Sequence, residues 1–550
     1  MSSTNPSSIR LACTAVLIRD GADHLEALVL RRAPTAAFFG GAYVFPGGAV
    51  DRGDGDDGVI ARMRGLSDAQ SSARLDVEGN ALRFWATAVR ECFEEAGVLI
   101  ARDATGETLS MERVARLDDA RRALHAGDLT FAEFLNREDL VIHTDDLVYV
   151  DHWITPAGRP RRFDTRFFCA RSPAGQRESV DQLEMVELEW LAPAQALQRA
   201  EAGNIELPFA TRHMLRDLTR WETVDDALAD ARARGPVEAK RPVVAQGSRG
   251  QTVFRNGDAA YAEIRWSDPE ETMATTYELM PGVPKRLDRL VTRVIAPNPS
   301  VMTGPGTNTY LVGEDAIAVI DPGPAIDAHV DAVMRAGDGR IRWIFCTHTH
   351  NDHSPAAARL KALTGAQIIG DVAREGRQDA TFLPDIVAAD GARYTIDGAT
   401  LEALHTPGHA SNHYCYVLRE TRMLFSGDHV MQGSTVIINP PDGDMRDYVR
   451  SLESLLARDV AIIAPGHGYL IGKPHAEIRR LIEHRMRRER RVLEVLRSHG
   501  AATLSDLVPE VYDDVPVERH GAAARSLLAH LLKLVKDGVV AETDGTYAVS

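Results

Sequence analysis

The stretch Cys346-Thr347-His348-Thr349-His350-Asn351-Asp352-His353 follows the apolar run Ile341–Phe345. Three histidines and one aspartate thus fall within six residues at the end of a segment composed like a buried strand. A lone histidine usually makes a hydrogen bond in a core or loop. A cluster this dense brings imidazole nitrogens and a carboxylate to one point, which is the donor set of a zinc-class metal centre. Three more glycine-flanked turns after apolar runs carry the same residue types: His405-Thr406-Pro407-Gly408-His409, Phe425-Ser426-Gly427-Asp428-His429 and Ala464-Pro465-Gly466-His467-Gly468. Turns at strand ends are where a fold presents ligands.

A second constellation lies far upstream. Arg90-Glu91-Cys92-Phe93-Glu94-Glu95-Ala96-Gly97 sits in a helical pattern that begins at Leu82 and stops at Gly97. Glu91, Glu94 and Glu95 are spaced i, i+3 and i+4 and share one helix face, where like charges repel. A hard divalent cation, Mg²⁺ or Mn²⁺, relieves that repulsion through oxygen ligands and tolerates bridging phosphate. Arg90 adjoins the cluster and is placed to orient a carboxylate, and the loop Phe45-Pro46-Gly47-Gly48 precedes it.

These residues need several domains to hold them, because 550 residues exceed one hydrophobic core. An apolar fraction of 44% and a charged fraction of 26% are those of a globular protein. The net charge of −16 argues against coating nucleic acid through bulk electrostatics. The N-terminus has no basic start leading into an apolar core, and no run approaches the roughly 20 apolar residues that span a bilayer. Cys13, Cys92, Cys169, Cys346 and Cys415 are scattered and odd in number, which reads as reduced thiols in a cytoplasmic chain. Strands are expected over 11–30, 147–154 and 162–170, an Asp- and Gly-rich insertion over 51–80, and helices over 113–126 and 131–138. A linker is expected near 225–245, alternating strands and helices from Val291 to about His475, and a tail of helices ending in a hairpin at Val539–Val549 with its turn at Asp544-Gly545.

Phe45-Pro46-Gly47-Gly48 followed by Arg90-Glu91 and Glu94-Glu95 resembles the Nudix box, the loop–helix motif of hydrolases that split nucleoside diphosphates linked to another group. The resemblance implies that Glu91, Glu94 and Glu95 hold Mg²⁺ or Mn²⁺, with Glu94 and Glu95 counted as catalytic. The box is split here: Arg90 lies far beyond Gly48, and Leu82 stands where the family has an early Glu. The split box, the helical insert and Arg161-Arg162-Phe163-Asp164-Thr165-Arg166 resemble a branch that includes coenzyme-A diphosphatases. The loose match at Leu30-Arg31-Arg32 and Gly41 makes coenzyme A a candidate substrate, and Glu184 or Glu187 a candidate base from outside the box.

The four downstream motifs, with Asp321-Pro322-Gly323 after the apolar run Ala316–Ile320, resemble the five-part pattern of the metallo-β-lactamase superfamily. Carried over, His348, His350 and His409 bind a first metal, Asp352, His353 and His467 a second, and Asp428 bridges both. Asp352 also steers the proton of the attacking water, and Asp321 orients a ligand. The donor set suits two Zn²⁺ ions, with Mn²⁺ or Fe²⁺ as alternatives. His405, His413 and His429 read as loop histidines. A bridging carboxylate at Asp428 implies a phosphodiesterase or thioesterase and not an antibiotic-hydrolysing enzyme. Ala296 to Val312 and the tail resemble lactamase-beta-like endoribonucleases, which end in a winged helix. The run Arg485, Arg487, Arg488, Arg490 and Arg491 is of the kind that touches a phosphate backbone, but interspersed Glu489 and Glu494 favour a self-paired face.

The expected fold is therefore α/β and α+β multidomain: a Nudix α/β/α sandwich over 8–222, a linker with short strands over 223–285, a metallo-β-lactamase αββα sandwich over 286–475 and a small C-terminal winged helix over 476–550. The expected function is a bifunctional metal-dependent hydrolase, endoribonuclease-like behind and pyrophosphohydrolase in front. Substrates in view are a small-molecule pyrophosphate or thioester, or single-stranded RNA, with no membrane partner. A glyoxalase-II-like or acyl-CoA thioesterase with coenzyme-A diphosphatase is one alternative. A Nudix-type sensor that binds nucleic acid through the winged helix is another, with a mostly apolar candidate recognition helix at 521–536 against it.

Overall fold

The computed structural model describes residues 9–36, 39–374 and 378–550, so the N-terminal stretch 1–8, read above as lacking a leader, lies outside the described residues. The chain divides into two compact units, Met1–Pro242 and Val243–Ser550. No helix among the described residues is long and apolar enough to cross a membrane. All five cysteines are free and buried.

The first unit is built on a sheet whose main path runs Met185–Leu191, Leu25–Arg32, Arg10–Asp20, Phe163–Arg171, Val148–Ile154. Successive residues of a strand face opposite sides. Accordingly Cys13, Ala15 and Leu17 enter the core under the helix Leu82–Ala96, while Val16 and Ile18 enter a second core under the helices Pro193–Glu201, Phe209–Leu218 and Val224–Ala233. The result is an α/β/α sandwich. Leu82–Ala96 stops where Gly97 turns left-handed, its N–H bonded to the Phe93 carbonyl.

Two segments differ from expectation. The helix expected over 113–126 is two, Met111–Ala115 and Asp118–Ala126, because the chain turns at Leu117 to bury Val114 and Leu117 together in the first core. The stretch expected as a linker from 225 contains the helix Val224–Ala233, whose Val224, Ala227, Leu228 and Ala231 are buried against the sheet of the first unit. Its polar residues lie on the opposite face, so alanines interleaved with Asp and Arg concealed an amphipathic helix.

In the second unit two sheets face each other. The first is ordered Lys285–Arg286, Val291–Ile295, Asn308–Val312, Ile317–Ile320, Ile341–Phe345, Gln367–Gly370, Ile386–Val387. The second is ordered Arg393–Ile396, Ala399–His405, Tyr414–Leu418, Met423–Gly427, Ile462–Pro465. Tyr310, Phe345, Tyr416 and Phe425 fill the space between the sheets. On the outer faces Leu311 and Ile344 meet helices Asp327–Gly337 and Ala357–Thr364, and Leu424 meets Met445–Leu456. This is the αββα layering expected. The helix Pro474–His499 then runs through two cores, with Ile478 and Leu481 in the metal-fold layer and Val492 and Leu496 in the tail. The tail adds Leu504–Val511, His520–Lys536 and a small antiparallel sheet ordered Ala501–Thr503, Thr546–Val549, Val540–Thr543, which is a winged helix.

Residues 243–285 belong to the second unit. A hairpin pairs Val243–Gly247 with Gly250–Phe254, and the helix Tyr261–Ser267 carries Glu263, which is wholly buried. Glu263 receives two hydrogen bonds from Arg293, 2.6 and 2.8 Å, and one from Lys285 at 2.6 Å. Burial alone would raise its carboxyl, but Arg293 and Lys285 bring it below the usual range. Glu263→Ala leaves Arg293 charged, buried and unpaired, so it should destabilise this unit by about 3–5 kcal/mol, read as a lower midpoint for its urea unfolding transition.

Candidate active sites

The second unit's site lies where both sheets end. The strand Ile341–Phe345 delivers His348, His350, Asp352 and His353; the turn after Ala399–His405 delivers His409; Met423–Gly427 delivers Asp428; and Ile462–Pro465 delivers His467. Asn308 ties the two sheets together there, its amide donating to the Pro465 carbonyl at 2.9 Å and the Gly468 carbonyl at 3.0 Å. Gly466 is required by space, since a Cβ would stand 2.7 Å from Asp428 Oδ1 and 2.8 Å from His353 Cε1.

All seven expected ligands are brought together. His350 Nδ1 lies 2.9 Å from His348 Nε2 and 3.0 Å from His409 Nε2. His467 Nε2 lies 3.3 Å from Asp352 Oδ2 and from Asp428 Oδ1, and His353 Nε2 lies 3.5 and 3.4 Å from the same two oxygens. Asp428 turns its other oxygen, Oδ2, toward His409 Nε2 at 3.8 Å. It therefore stands between a three-histidine cluster and an Asp352–His353–His467 cluster, and each cluster's donor atoms lie within 4.8 Å of one another.

The outer nitrogens fix the rings. His409 Nδ1 faces the Ile437 carbonyl at 2.9 Å, His467 Nδ1 the Gly306 carbonyl at 3.3 Å, and His353 Nδ1 meets Asp321 Oδ2 at 2.9 Å. Asp321 also accepts from the Thr347 backbone at 2.7 Å and hydroxyl at 2.9 Å, which is the orienting place expected for it. With the outer nitrogens engaged, His353 Nε2 and Asp428 Oδ1 are buried without a hydrogen-bond partner. Buried polar atoms are normally satisfied, so two orphans aimed at one point fit divalent cations there. Burial, then the nearby His409, pushes His350 down to about 3, keeping it neutral as a ligand must be. At the other cluster Asp428 and Asp352 outweigh burial and hold His467 up at about 9. His413 and His429 lie in loops, as expected, and are wholly buried; His413 stacks on His348 at 5.1 Å and His429 packs on Tyr448 at 4.9 Å. His405 is half-buried against Tyr414.

A cavity of about 530 Å³ opens above the ligands. Met302, Met431, Val436, Ile437 and Pro441 form an apolar wall, and Gln378, Asn439, Asp442 and Arg525 add polar groups. The sequence reading did not single out these four. They come from separate loops and from the tail, with no shared motif to mark them.

In the first unit the Nudix-like glutamates lie on the buried face of Leu82–Ala96. Arg90 Nη1 lies 3.0 Å from Glu91 and 3.1 Å from Glu94, and Glu95 accepts from the Gly47 N–H at 2.8 Å. A Cβ on Gly48 would stand 2.5 Å from the Glu91 carboxylate, so loop and helix interlock. Asp54, in the insertion, is buried and accepts from Arg90 Nε at 2.8 Å and Nη2 at 3.0 Å. It had no sequence signal beyond one aspartate among many in a polar stretch. Burial, opposed by Arg90 and reinforced by Glu94 and Asp54, pushes Glu91 up to about 8; burial and Glu91 hold Glu95 higher than usual. Carboxylates that resist ionising in isolation fit a neutralising cation.

Beside them is a cavity of about 320 Å³ that includes Gly47 and Gly48. Alternation along Phe163–Arg171 sends Phe163, Thr165 and Phe167 into it, joined by Arg161 just before the strand and by Arg10 and Arg32. Glu184 also lines it, whereas Glu187 is engaged by Tyr43 at 3.1 Å and by Arg31.

Asp321→Ala should weaken metal binding in the second unit about 10–100-fold, measured by competition with a chromogenic zinc chelator. Gly48→Ala should displace Glu91 and abolish the Mg²⁺ heat signal of the first unit in calorimetric titration, with zinc binding unchanged.

Comparison with known proteins places residues 302–467 with the metallo-beta-lactamase superfamily, 503–547 with the beta-lactamase associated winged helix domain and 66–211 with the NUDT19 Nudix domain. A beta-lactamase-like protein 2 homolog of Caenorhabditis elegans is 34% identical over 262 residues, 46% of this chain and 88% of its own. An atrochrysone carboxyl ACP thioesterase of Aspergillus chevalieri is 32% identical over 293 residues, 50% of this chain and 90% of its own. Among solved structures, a NUDIX hydrolase from Alicyclobacillus acidocaldarius is 28% identical with a TM-score of 0.34, covering 40% of this chain and 96% of its own. The chain belongs to the metallo-β-lactamase superfamily, as a hydrolase with a Nudix domain ahead of the metal fold and a winged helix behind it.

Proposed function

We propose that the metal-fold half hydrolyses acyl thioesters and that the Nudix half cleaves pyrophosphate linkages. The observation that carries the first part is the lining of the 530 Å³ cavity: an apolar wall suited to an acyl chain, two amides, and Arg525 as the one Lys or Arg among the described residues that line it. A relative named as a thioesterase supports the same reading.

In this reading the seven ligands hold two divalent cations, Zn²⁺ or else Mn²⁺ or Fe²⁺, which would supply an acidified water and positive charge for a developing oxyanion. Asp428, with one oxygen toward each cluster, sets the spacing of the two positions. Asp352, held beside His467, takes the proton of the attacking water. The water oxygen bonds to the thioester carbonyl carbon, the C–S bond breaks, and the sulfur leaves with a proton. The apolar wall keeps the acyl chain out of water while Asn439 and Gln378 orient its polar end.

Single-stranded RNA is the second reading, favoured by the winged helix itself. A strand requires a row of cations along its phosphates; Arg487 and Arg490 of Pro474–His499 are exposed, but their neighbours in the run are engaged elsewhere. Arg485 is buried against Tyr448 and reaches the Val436 carbonyl, Arg488 pairs with Asp514 at 2.9 Å, and Arg491 with Asp513 at 3.2 Å. The helix His520–Lys536 buries Leu527 and Leu531 in the tail core, which weighs against the sensor alternative.

For the Nudix half, Glu91, Glu94 and Glu95 beside a cavity with Arg10, Arg32 and Arg161 support a pyrophosphate held by arginines and a Mg²⁺ or Mn²⁺ ion, with coenzyme A among the candidates. The test is one panel of butyryl-coenzyme A, coenzyme A, ADP-ribose and single-stranded RNA, assayed with wild type, Asp352→Ala and Glu94→Gln. Asp352→Ala should lower thioester hydrolysis by about a hundredfold or more and leave pyrophosphate cleavage intact, and Glu94→Gln should do the reverse. RNA cleavage by wild type with no thioester turnover would overturn the first proposal.

A further inference from the structure

We propose that Arg525, contributed by the winged-helix tail, recognises an anionic group of the substrate in the metal-fold cavity. The proposal rests on the reading of that cavity as an acyl-thioester site. The shared chemistry is a carboxylate or phosphate oxygen pair facing a guanidinium.

Arg525 and Ala529 are four residues apart on the helix His520–Lys536 and share a face. Ala529 is buried in the same core as Tyr448 and Leu452 of the metal fold, so that face is turned toward the metal fold, and Arg525 lines the cavity one turn earlier. The other end of the helix is clamped. Lys536 pairs with Asp444, Arg446 pairs with Asp537, and Lys533 reaches the buried Glu489 at 2.9 Å. The guanidinium is therefore carried on an element with a fixed seat on the metal fold.

Nothing among the described residues explains the charge. Arg525 is exposed, and among the described residues it has no hydrogen bond or ion pair. Its helical neighbours at i−4, i−3, i+3 and i+4 are Gly521, Ala522, Leu528 and Ala529, none acidic. It lies in the first half of its helix, away from the C-terminal end that the helix dipole makes favourable for cations. The acidic groups among the described residues that line the cavity are already engaged. Asp352 and Asp428 face the histidines, and Asp442 accepts from Gln378 at 2.7 Å and Ser411 at 2.6 Å. A substrate with an apolar acyl portion and one anionic group matches the apolar wall on one side and Arg525 on the other.

The anion has two possible sources, a carboxylate at the far end of the acyl group or a phosphate on the thiol portion. Metal-loaded full-length wild type, Arg525→Gln and Arg525→Lys are titrated calorimetrically with glutarate and with pantetheine 4′-phosphate. They are also assayed on glutaryl and butyryl thioesters of N-acetylcysteamine and on butyryl-coenzyme A. Arg525→Gln should weaken one anionic probe about tenfold and raise KM for the matching thioester by the same factor. It should leave kcat within about twofold and butyryl-N-acetylcysteamine unaffected, while Arg525→Lys recovers part of the loss. A glutarate effect assigns the acyl carboxylate, and a phosphate effect the thiol portion. Equal binding by wild type and Arg525→Gln, or no binding of either probe by wild type, overturns the proposal. Loss of anion binding without any thioester turnover retains Arg525 as an anion site and removes the thioesterase reading.

Discussion

The metal-fold site depends on one constraint: lone pairs that the backbone has turned toward one another must share a positive charge or be destabilising. The outer nitrogens of His353, His409 and His467 are committed to Asp321, Ile437 and Gly306, which leaves the inner nitrogens no choice of direction. Asp321 does more than hold one ring. By also binding Thr347 it fixes the turn from which His348, His350, Asp352 and His353 project. The two-sheet architecture serves the same end, because sheets packed face to face bring the turns of both to one edge, and Asn308 closes that edge.

The Nudix half meets a like-charge problem with different means. Three glutamates on a buried helix face are held by Arg90, by the Gly47 N–H and by the close fit of Gly48, with Arg90 held in turn by Asp54. The insertion that interrupts the box is thus part of its wiring. It supplies the buried acid that aims the arginine, while the box supplies the glutamates.

The tail is also part of a site and more than an appendage. Pro474–His499 threads the metal-fold core and the winged-helix core in one piece, so the tail takes its position from apolar packing at both ends of a single helix. That seating lets His520–Lys536 present Arg525 to a cavity whose other walls come from loops far away in sequence. Two arginines of the long helix serve this docking: Arg485 packs on Tyr448, and Arg488 stacks on Tyr512.

What the sequence determined by itself is chiefly what is local. Glycine-flanked turns with His348, His350, Asp352 and His353 packed together, and glutamates at helical spacing at Glu91, Glu94 and Glu95, carry their chemistry within a few residues, so type and spacing suffice to name them. Period-two and helical patterns likewise announce the strands at 11–30 and the helix ending at Gly97. The amphipathic helix Val224–Ala233 escaped because its apolar residues are mostly small alanines interleaved with Asp and Arg. Asp54, Asn308, Asp442 and Arg525 were decided only by the tertiary structure. Each is an ordinary polar residue in its own segment and acquires a role from a partner 36 or more positions away or, for Arg525, from the remote loops that complete its cavity. Long-range placement follows from packing of whole layers, and packing is a property of the folded chain that no short window of residues contains.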